Sequence, residues 1–195
     1  SINGYSGLYP TQTVAAYGTS VAQTTTAEYD FYTGIVKKAT ALGNTTAENV
    51  STETEYDELG RAKKVKTAVN TAHEIWTQTE YDDINRRVVV KADIETIGDA
   101  RKVATQFYDQ LGRVRLSKTL EDAATQNETN ETDGIKVQTR YLISGNYTYQ
   151  LSSNPYRANY SYNAGAEESM GWTRSKTINT GNHSEVETFA GATLP

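Results

Sequence analysis

A six-residue pattern that recurs at a nearly constant spacing constrains the fold of this chain more than any other feature. Tyr, Asp, two variable residues, Gly and Arg stand at Tyr56 to Arg61 and again at Tyr108 to Arg113. A third copy, Tyr81 to Arg86, has Asn in place of Gly, and a looser copy, Tyr29 to Gly34, has one extra residue before its glycine and no arginine after it. The four tyrosines stand 27, 25 and 27 residues apart. Self-similarity at such a period predicts a repeat architecture.

Each copy of the pattern has the chemistry of a tight turn between two strands. An aspartate side chain can bond the backbone two residues further on, and Gly or Asn three residues after it supplies the positive φ that such a turn often needs. The flanking runs are rich in β-branched residues, which favour strands. We therefore predict one β-hairpin per repeat, with the tyrosines of successive repeats in a row. The repeat-motif residues are Tyr29, Tyr56, Asp57, Gly60, Arg61, Tyr81, Asp82, Asn85, Tyr108, Asp109, Gly112 and Arg113.

The two complete copies resemble the YD repeat of the RHS family, which includes bacterial RHS proteins, toxin-complex shells and teneurins. The resemblance covers Thr25 to Leu120 most clearly. It implies long β-sheet ribbons, which large family members spiral into a hollow shell, and no catalytic residue in the repeats. Large RHS shells also end in a cleavage segment with an Asp-Pro dipeptide. This chain contains no Asp-Pro, so self-cleavage is not expected.

The pattern divides the chain into four segments. Residues 1–27 are predicted to be an N-terminal extended arm or a degenerate first repeat, in which Thr11 to Tyr17 is a candidate strand for pairing with another subunit. Residues 28–120 are the repeat region, 121–134 an acidic loop, and 135–195 eroded, tyrosine-rich repeats. We expect an all-β protein of serial antiparallel β-hairpin (YD) repeats that form an elongated twisted sheet or an open, β-solenoid-like ribbon.

The composition fits a thin sheet and excludes several kinds of partner. Only 36% of the residues are hydrophobic, and the mean hydropathy of −0.66 favours a sheet with two partly wetted faces over a sandwich with a dense centre. A net charge of −5 disfavours nucleic acid and anionic membranes as partners. The sequence has no apolar run near the ~18 residues of a membrane span.

No residue set in the sequence predicts catalysis, a metal or a cofactor. The chain has no cysteine, and its two histidines are His73, in a predicted strand, and His183, in a predicted turn. A nucleophilic triad, a phosphate loop or a metal-spaced His/Cys set is not present in the sequence. The acidic segment 121–134 lacks the alternating ligand spacing of an EF-hand loop, so we expect a solvated loop and not a calcium site.

Asn-x-Ser/Thr sequons are frequent and fall mostly in predicted turns or loops, where a glycan can project. Their modification would require an extracellular or cell-surface location. The motif tyrosines are expected to be structural, although a tyrosine ring can also stack on a sugar. The candidate glycosylation sites are Asn44, Asn49, Asn127, Asn130, Asn146, Asn159 and Asn182.

These features predict a non-enzymatic, extracellular structural protein. It is either a self-assembling, fibre-forming subunit or a segment of a larger RHS-like surface protein. Its expected partners are copies of itself or further repeats of the same chain, because the open edges of a hairpin ribbon must be covered or used. A piece of a toxin-encapsulating shell and a glycan-binding adhesion module are the alternatives.

Overall fold

In the computed structural model, the described residues, 7–157, 171–178 and 184–190, form an all-β fold. Thirteen strands make one sheet that does not close, and they follow one another in chain order with antiparallel neighbours. In these ranges the helical structure is a single 3-10 turn, Thr46–Glu48. The predicted fold class, serial antiparallel hairpins, is confirmed.

The described residues divide into two compact units, one made of residues 7–79 and 92–100 and the other of the remaining residues. Two strands, β6 (Ile75–Asp82) and β7 (Arg87–Ala92), have residues in both units. The first unit contains β1 (Gln12–Ala15), β2 (Gln23–Tyr29), β3 (Val36–Leu42), β4 (Val50–Tyr56) and β5 (Ala62–Thr67). The second contains β8 (Lys102–Tyr108), β9 (Val114–Thr119), β10 (Ile135–Ser144), β11 (Tyr147–Ser153), β12 (Gly171–Ile178) and β13 (Ser184–Ala190).

The first unit is a sheet with two wetted faces. Every residue described in it is half-buried or exposed. Polar side chains meet across its strands: Lys38 lies opposite Glu53 with a nitrogen–oxygen distance of 3.1 Å, and the Thr40 and Ser51 hydroxyls are 2.8 Å apart. Such cross-strand pairs stabilise a sheet by only ~0.2–1 kcal/mol each. This unit therefore depends on many small contacts, as the low apolar content predicts.

The second unit holds the apolar core. On β8, Val103 and Phe107 are buried, in phase with the two-residue period of a strand. Val89, Val103 and Leu120 form one buried cluster. Trp172, the largest fully buried side chain, packs with two residues of β11 in the second. The core thus lies on β7 to β12, which include the two strands of the complete motif copy at Tyr108.

The N-terminal segment is a hairpin and not a free arm. Strand β1 pairs with β2 of the same chain, with Gln12 opposite Thr26 and Ala15 opposite Gln23. The segment has the extended conformation that we expected. It is not an unpaired strand, because β2 occupies one of its edges. β1 and β2 therefore form a hairpin within residues 12–29.

The structure corrects one detail of the sequence interpretation, and some of the predicted residues lie outside the part of the chain that it describes. His73 lies in an exposed turn, because β6 begins two residues later at Ile75. In the eroded repeats, a turn at Gly145, with a φ of +57°, joins β10 to β11. Outside the described residues lie His183, Asn159 and Asn182.

Candidate functional site

The carboxylate of the motif aspartate organises each repeat turn. In the turn that follows Tyr56, one oxygen of Asp57 accepts hydrogen bonds from the backbone N–H groups of Leu59, at 3.0 Å, and Arg61, at 2.8 Å. The other oxygen accepts a hydrogen bond of 2.7 Å from Nε of Arg61. One side chain therefore satisfies two turn N–H groups and one guanidinium, and this explains why Asp and Arg occur together in the motif.

The turn that follows Tyr108 repeats this arrangement. Asp109 accepts hydrogen bonds from the N–H groups of Leu111 and Arg113, at 2.8 and 2.9 Å, and from Nε of Arg113 at 2.7 Å. The glycines have φ angles of +77° at Gly60 and +74° at Gly112. The positive φ predicted for both glycines is confirmed.

The turn that follows Tyr81 departs from the prediction for Asn85. The residue with positive φ is Arg86, at +51°, and not Asn85. Because Asp82 is still part of β6 and β7 begins at Arg87, the loop is shorter and its left-handed residue moves to the last position. The ion pair shifts with it, so that Arg87 and not Arg86 contacts Asp82, at 2.6 Å. Asn85 instead donates hydrogen bonds to the Asp82 carboxylate from its backbone N–H, at 3.0 Å, and from its side-chain amide.

In the loosest copy of the turn, a lysine takes the place of the missing arginine. Asp30 accepts hydrogen bonds of 3.1 Å from the N–H groups of Tyr32 and Thr33, and its carboxylate lies 2.7 Å from Nζ of Lys37. Gly34 has a φ of +70°. All four motif aspartates thus have a cationic partner, although its position in the sequence varies.

These partners lower the pKa of all four motif carboxyls. The hydrogen bond from Lys37, with those from Thr33, lowers the pKa of Asp30 to about 2. Hydrogen bonds from Arg113 lower the pKa of Asp109, and those from Asn85 lower that of Asp82. Desolvation opposes the shift at Asp57, but the hydrogen bonds and charge of Arg61 outweigh it, so that its pKa is also lowered.

Because the pKa of all four motif carboxyls is lowered, the stability of the fold should decrease in acid over a defined pH range. A carboxyl whose pKa is lower in the folded state stabilises the fold above its unfolded value of about 3.9 and loses that contribution as the pH falls to the folded value. The free energy of unfolding, measured in urea, should therefore be flat from about pH 7 to 5 and fall between about pH 4 and 2. Asp57→Asn with Asp109→Asn should reduce this slope, whereas Glu58→Gln, an exposed residue of the turn after Tyr56 that is outside the set, should not. An unchanged slope in the double variant would contradict the assignment.

Two tyrosines each connect a repeat to the one before it. The hydroxyl of Tyr56 donates to the carbonyl of Val36 at 2.8 Å, and that of Tyr141 donates to the carbonyl of Val114 at 3.2 Å. Val36 and Val114 are equivalent, since each lies opposite the motif tyrosine of its own hairpin. Tyr141 thus takes the place of a motif tyrosine in the predicted eroded repeats.

The hydroxyl of Tyr108 differs, because it donates to Gln106 of its own strand at 2.8 Å. Its repeat is joined to the next by Arg113, whose guanidinium lies 4.3 Å from the centre of the Tyr141 ring. Cation–π contacts of this kind contribute ~0.5–1 kcal/mol at exposed sites. These contacts support the structural interpretation of the motif tyrosines.

The acidic segment 121–134 is a loop, as predicted, but it is not solvated along its length. We call it the covering loop, because it packs over buried cations of the second unit. Its Glu128 carboxylate lies 3.0 Å from Nζ of Lys91, and its Glu131 carboxylate binds the guanidinium of Arg115. The carbonyl of Glu128 also accepts a hydrogen bond of 2.9 Å from the Thr105 hydroxyl.

Two lysines explain why the loop must lie there. Lys118 is 3% exposed and Lys136 is fully buried. The ammonium group of Lys118 donates to the carbonyls of Asn127, at 2.6 Å, and Asn130, and that of Lys136 donates to the carbonyl of Thr132. Burial lowers the pKa of Lys118 to about 8. A buried ammonium group without such partners would be costly, so the loop supplies the oxygens.

The described sequons differ in how their asparagines are engaged. Asn44 and Asn146 are exposed residues of a loop and a hairpin turn, whereas Asn49 is half-buried and accepts a hydrogen bond of 3.0 Å from the N–H of Gly43. Asn127 and Asn130 are exposed residues of the covering loop, and each side chain accepts hydrogen bonds from the threonine of its own sequon.

Each of the two tyrosine rings of β11 has a cation of the neighbouring strand near its centre. Tyr149 is 8% exposed, and the Arg174 guanidinium lies 5.8 Å from its ring centre. Nζ of Lys176 lies 4.3 Å from the ring centre of Tyr147. Cations from the neighbouring strand thus occupy positions where a sugar would stack.

Comparison of the chain with protein-family models and with curated proteins finds no match. Within the described residues, no three His, Cys, Asp or Glu side chains are grouped so as to hold a metal ion. The helical structure found in those residues is too short and too polar to cross a membrane.

Proposed function

We propose that the chain is a non-enzymatic, extracellular structural protein of the YD-repeat kind, whose sheet continues by strand pairing with another copy or with further repeats. The observation that carries this proposal is the serial order of the strands, with repeat turns of one design and tyrosines that bond the preceding repeat. A sheet built from such units can be lengthened by adding units, because each contacts its neighbours in the same way.

The outer edge of β1 is the place where we expect another strand to pair. The N–H of Ala27 donates to the carbonyl of Thr11 at 3.0 Å. Bonded and non-bonded pairs alternate along antiparallel strands, so Thr13 also bonds β2, whereas the N–H and carbonyl of Val14 point away from it. The four residues of β1 are uncharged, and this edge lacks the lysines that commonly block strand addition. Backbone hydrogen bonds would supply much of the affinity.

Two proline variants distinguish the edges of this strand. Val14→Pro removes only an outward N–H, which a sheet edge tolerates, and should abolish oligomers while retaining the circular dichroism of the fold. Thr13→Pro, the matched control, should unpair β1 from β2 and lower the melting temperature. Sedimentation velocity over a concentration series gives the oligomeric state. A wild-type monomer at every concentration, or Val14→Pro oligomers equal to wild type, would contradict assembly through this edge.

An extracellular location and glycans on the exposed sequons belong to the same proposal. Asn44 and Asn146 are the positions best suited to carry a glycan, because both are exposed in connections between strands and a modification there leaves the strand pairing intact. Membership of the RHS family is proposed on the four motif copies and their common aspartate-centred turn geometry.

A further inference from the structure

One position of the repeat motif carries a large apolar side chain in all four copies. The residue three positions after the motif tyrosine is Tyr32, Leu59, Ile84 or Leu111, with exposed fractions of 91%, 73%, 89% and 75%. Within the described residues, Tyr17 is the one other large hydrophobic side chain that is as exposed. Turn positions commonly favour Gly, Asn, Asp or Ser, so the turn conformation does not explain an apolar residue at the same place in each repeat. A single exposed apolar side chain is ordinary, so the observation to be explained is its recurrence at one position of the motif.

The same chain carries a groove that suits such a side chain. Between two successive repeat turns of the first unit lies a groove of about 570 Å³. The apolar part of its lining is Ile35, Tyr56 and Gly60. Gly60 borders this part next to Ile35, because a Cβ there would stand in contact with Cδ1 of Ile35 at 3.4 Å.

The charges around the groove are largely neutralised within the chain. Six carboxylates line it, and the four of Asp30, Glu53, Glu55 and Asp57 are paired with Lys37, Lys38, Lys66 and Arg61. A cationic ligand would have to compete with these lysines and this arginine. An uncharged apolar side chain needs no such competition and gains from the apolar lining.

We propose that the apolar turn residues of one copy, represented by Leu59, dock into the groove at Ile35 and Tyr56 of a second copy. Groove and inserting side chain lie on one chain, and this is the arrangement that makes head-to-tail contacts. One inserted side chain buries far less than the ~1,200 Å² of a stable interface. The contact therefore becomes strong when it is repeated along assembled chains. It rests on the assembly proposed above, and it joins assembled chains side by side.

The absence of native cysteine allows a direct test by cross-linking. Copies with Ile35→Cys, labelled with nitrogen-15, are mixed with unlabelled copies with Leu59→Cys, assembled and oxidised, and mixed disulfide dimers are counted by mass. The control replaces Leu59→Cys with His73→Cys, an exposed turn residue outside the motif. We expect roughly tenfold more mixed dimer with Leu59→Cys than with the control. This ratio is the change in binding that is typical when a contact lacks one anchoring side chain.

Two further measurements separate this contact from strand addition. Leu59→Asn suits a turn and should reduce lateral association of the assembled chains, whereas His73→Asn, in an exposed turn outside the groove, should not. If chains assemble but Ile35→Cys and Leu59→Cys cross-link only at the control level, the groove contact is wrong and strand addition stands. If chains remain monomeric at every concentration and no mixed dimer forms, both proposals fail.

Discussion

Gly134→Ala should destabilise the protein by about 2–5 kcal/mol, the sum of backbone strain and overpacking. Gly134 ends the covering loop where the chain enters β10, and its φ is +75°. A Cβ at this position would stand 2.4 Å from the carbonyl oxygen of Thr119, which is backbone and cannot rotate away. The substitution should displace the loop from the buried lysines. Urea unfolding followed by circular dichroism measures the loss.

Gly112→Ala is the matched control for this substitution. Gly112 has nearly the same φ, +74°, but a Cβ there meets no atom within 4 Å. Only the cost of the left-handed conformation remains, about 1–2 kcal/mol. If the two variants lose equal stability, the contact between Gly134 and Thr119 does not constrain the loop.

Trp172→Ala should cost about 3–5 kcal/mol, the range for removing a fully buried tryptophan side chain. Trp172 is fully buried beside Tyr149 and Leu151, and the Arg140 guanidinium lies 5.3 Å from its ring centre. Removing the indole ring leaves a cavity, and the hydrogen-bonded strands around it cannot move together far enough to fill it. The free energy of unfolding, from urea titration followed by circular dichroism, measures the effect.

The second tryptophan provides the control. Trp76 is half-buried, with Nζ of Lys64 3.2 Å from its ring centre and its indole N–H donating to Glu74 at 2.7 Å. Trp76→Ala should cost less, about 1–2 kcal/mol, because less surface is lost. Equal losses at the two positions would show that the second unit lacks the core described here.

The local chemistry of the turns could be predicted from the sequence, because it depends on residues close together in the chain. Asp57 with Arg61, and the φ of Gly60, follow from that spacing. The same reasoning failed at Asn85, since the loop there is one residue shorter and the left-handed position passes to Arg86. The length of a hairpin loop depends on strand register, which the motif alone does not determine.

The covering loop shows what the sequence could not reveal. Its acidic composition predicts a solvated loop, yet the residues that hold it are Lys118 and Lys136, on two strands that flank it in the sequence and pair with each other. The signal in the sequence is the spacing of Leu116, Lys118 and Leu120, which stand two residues apart. This spacing places the lysine on the same face of the strand as the buried leucines. Lysine is so rarely buried that this phase alone does not predict a buried ammonium group.

Electron cryomicroscopy of the native, assembled material tests the central claim, a repeat sheet that continues from one copy to the next. We expect filaments with strands about 4.8 Å apart, in which the outer edge of β1 is hydrogen-bonded to a strand of another copy through Gln12 and Val14. Uniform single particles at high protein concentration, or filaments in which the outer edge of β1 faces solvent, would contradict it.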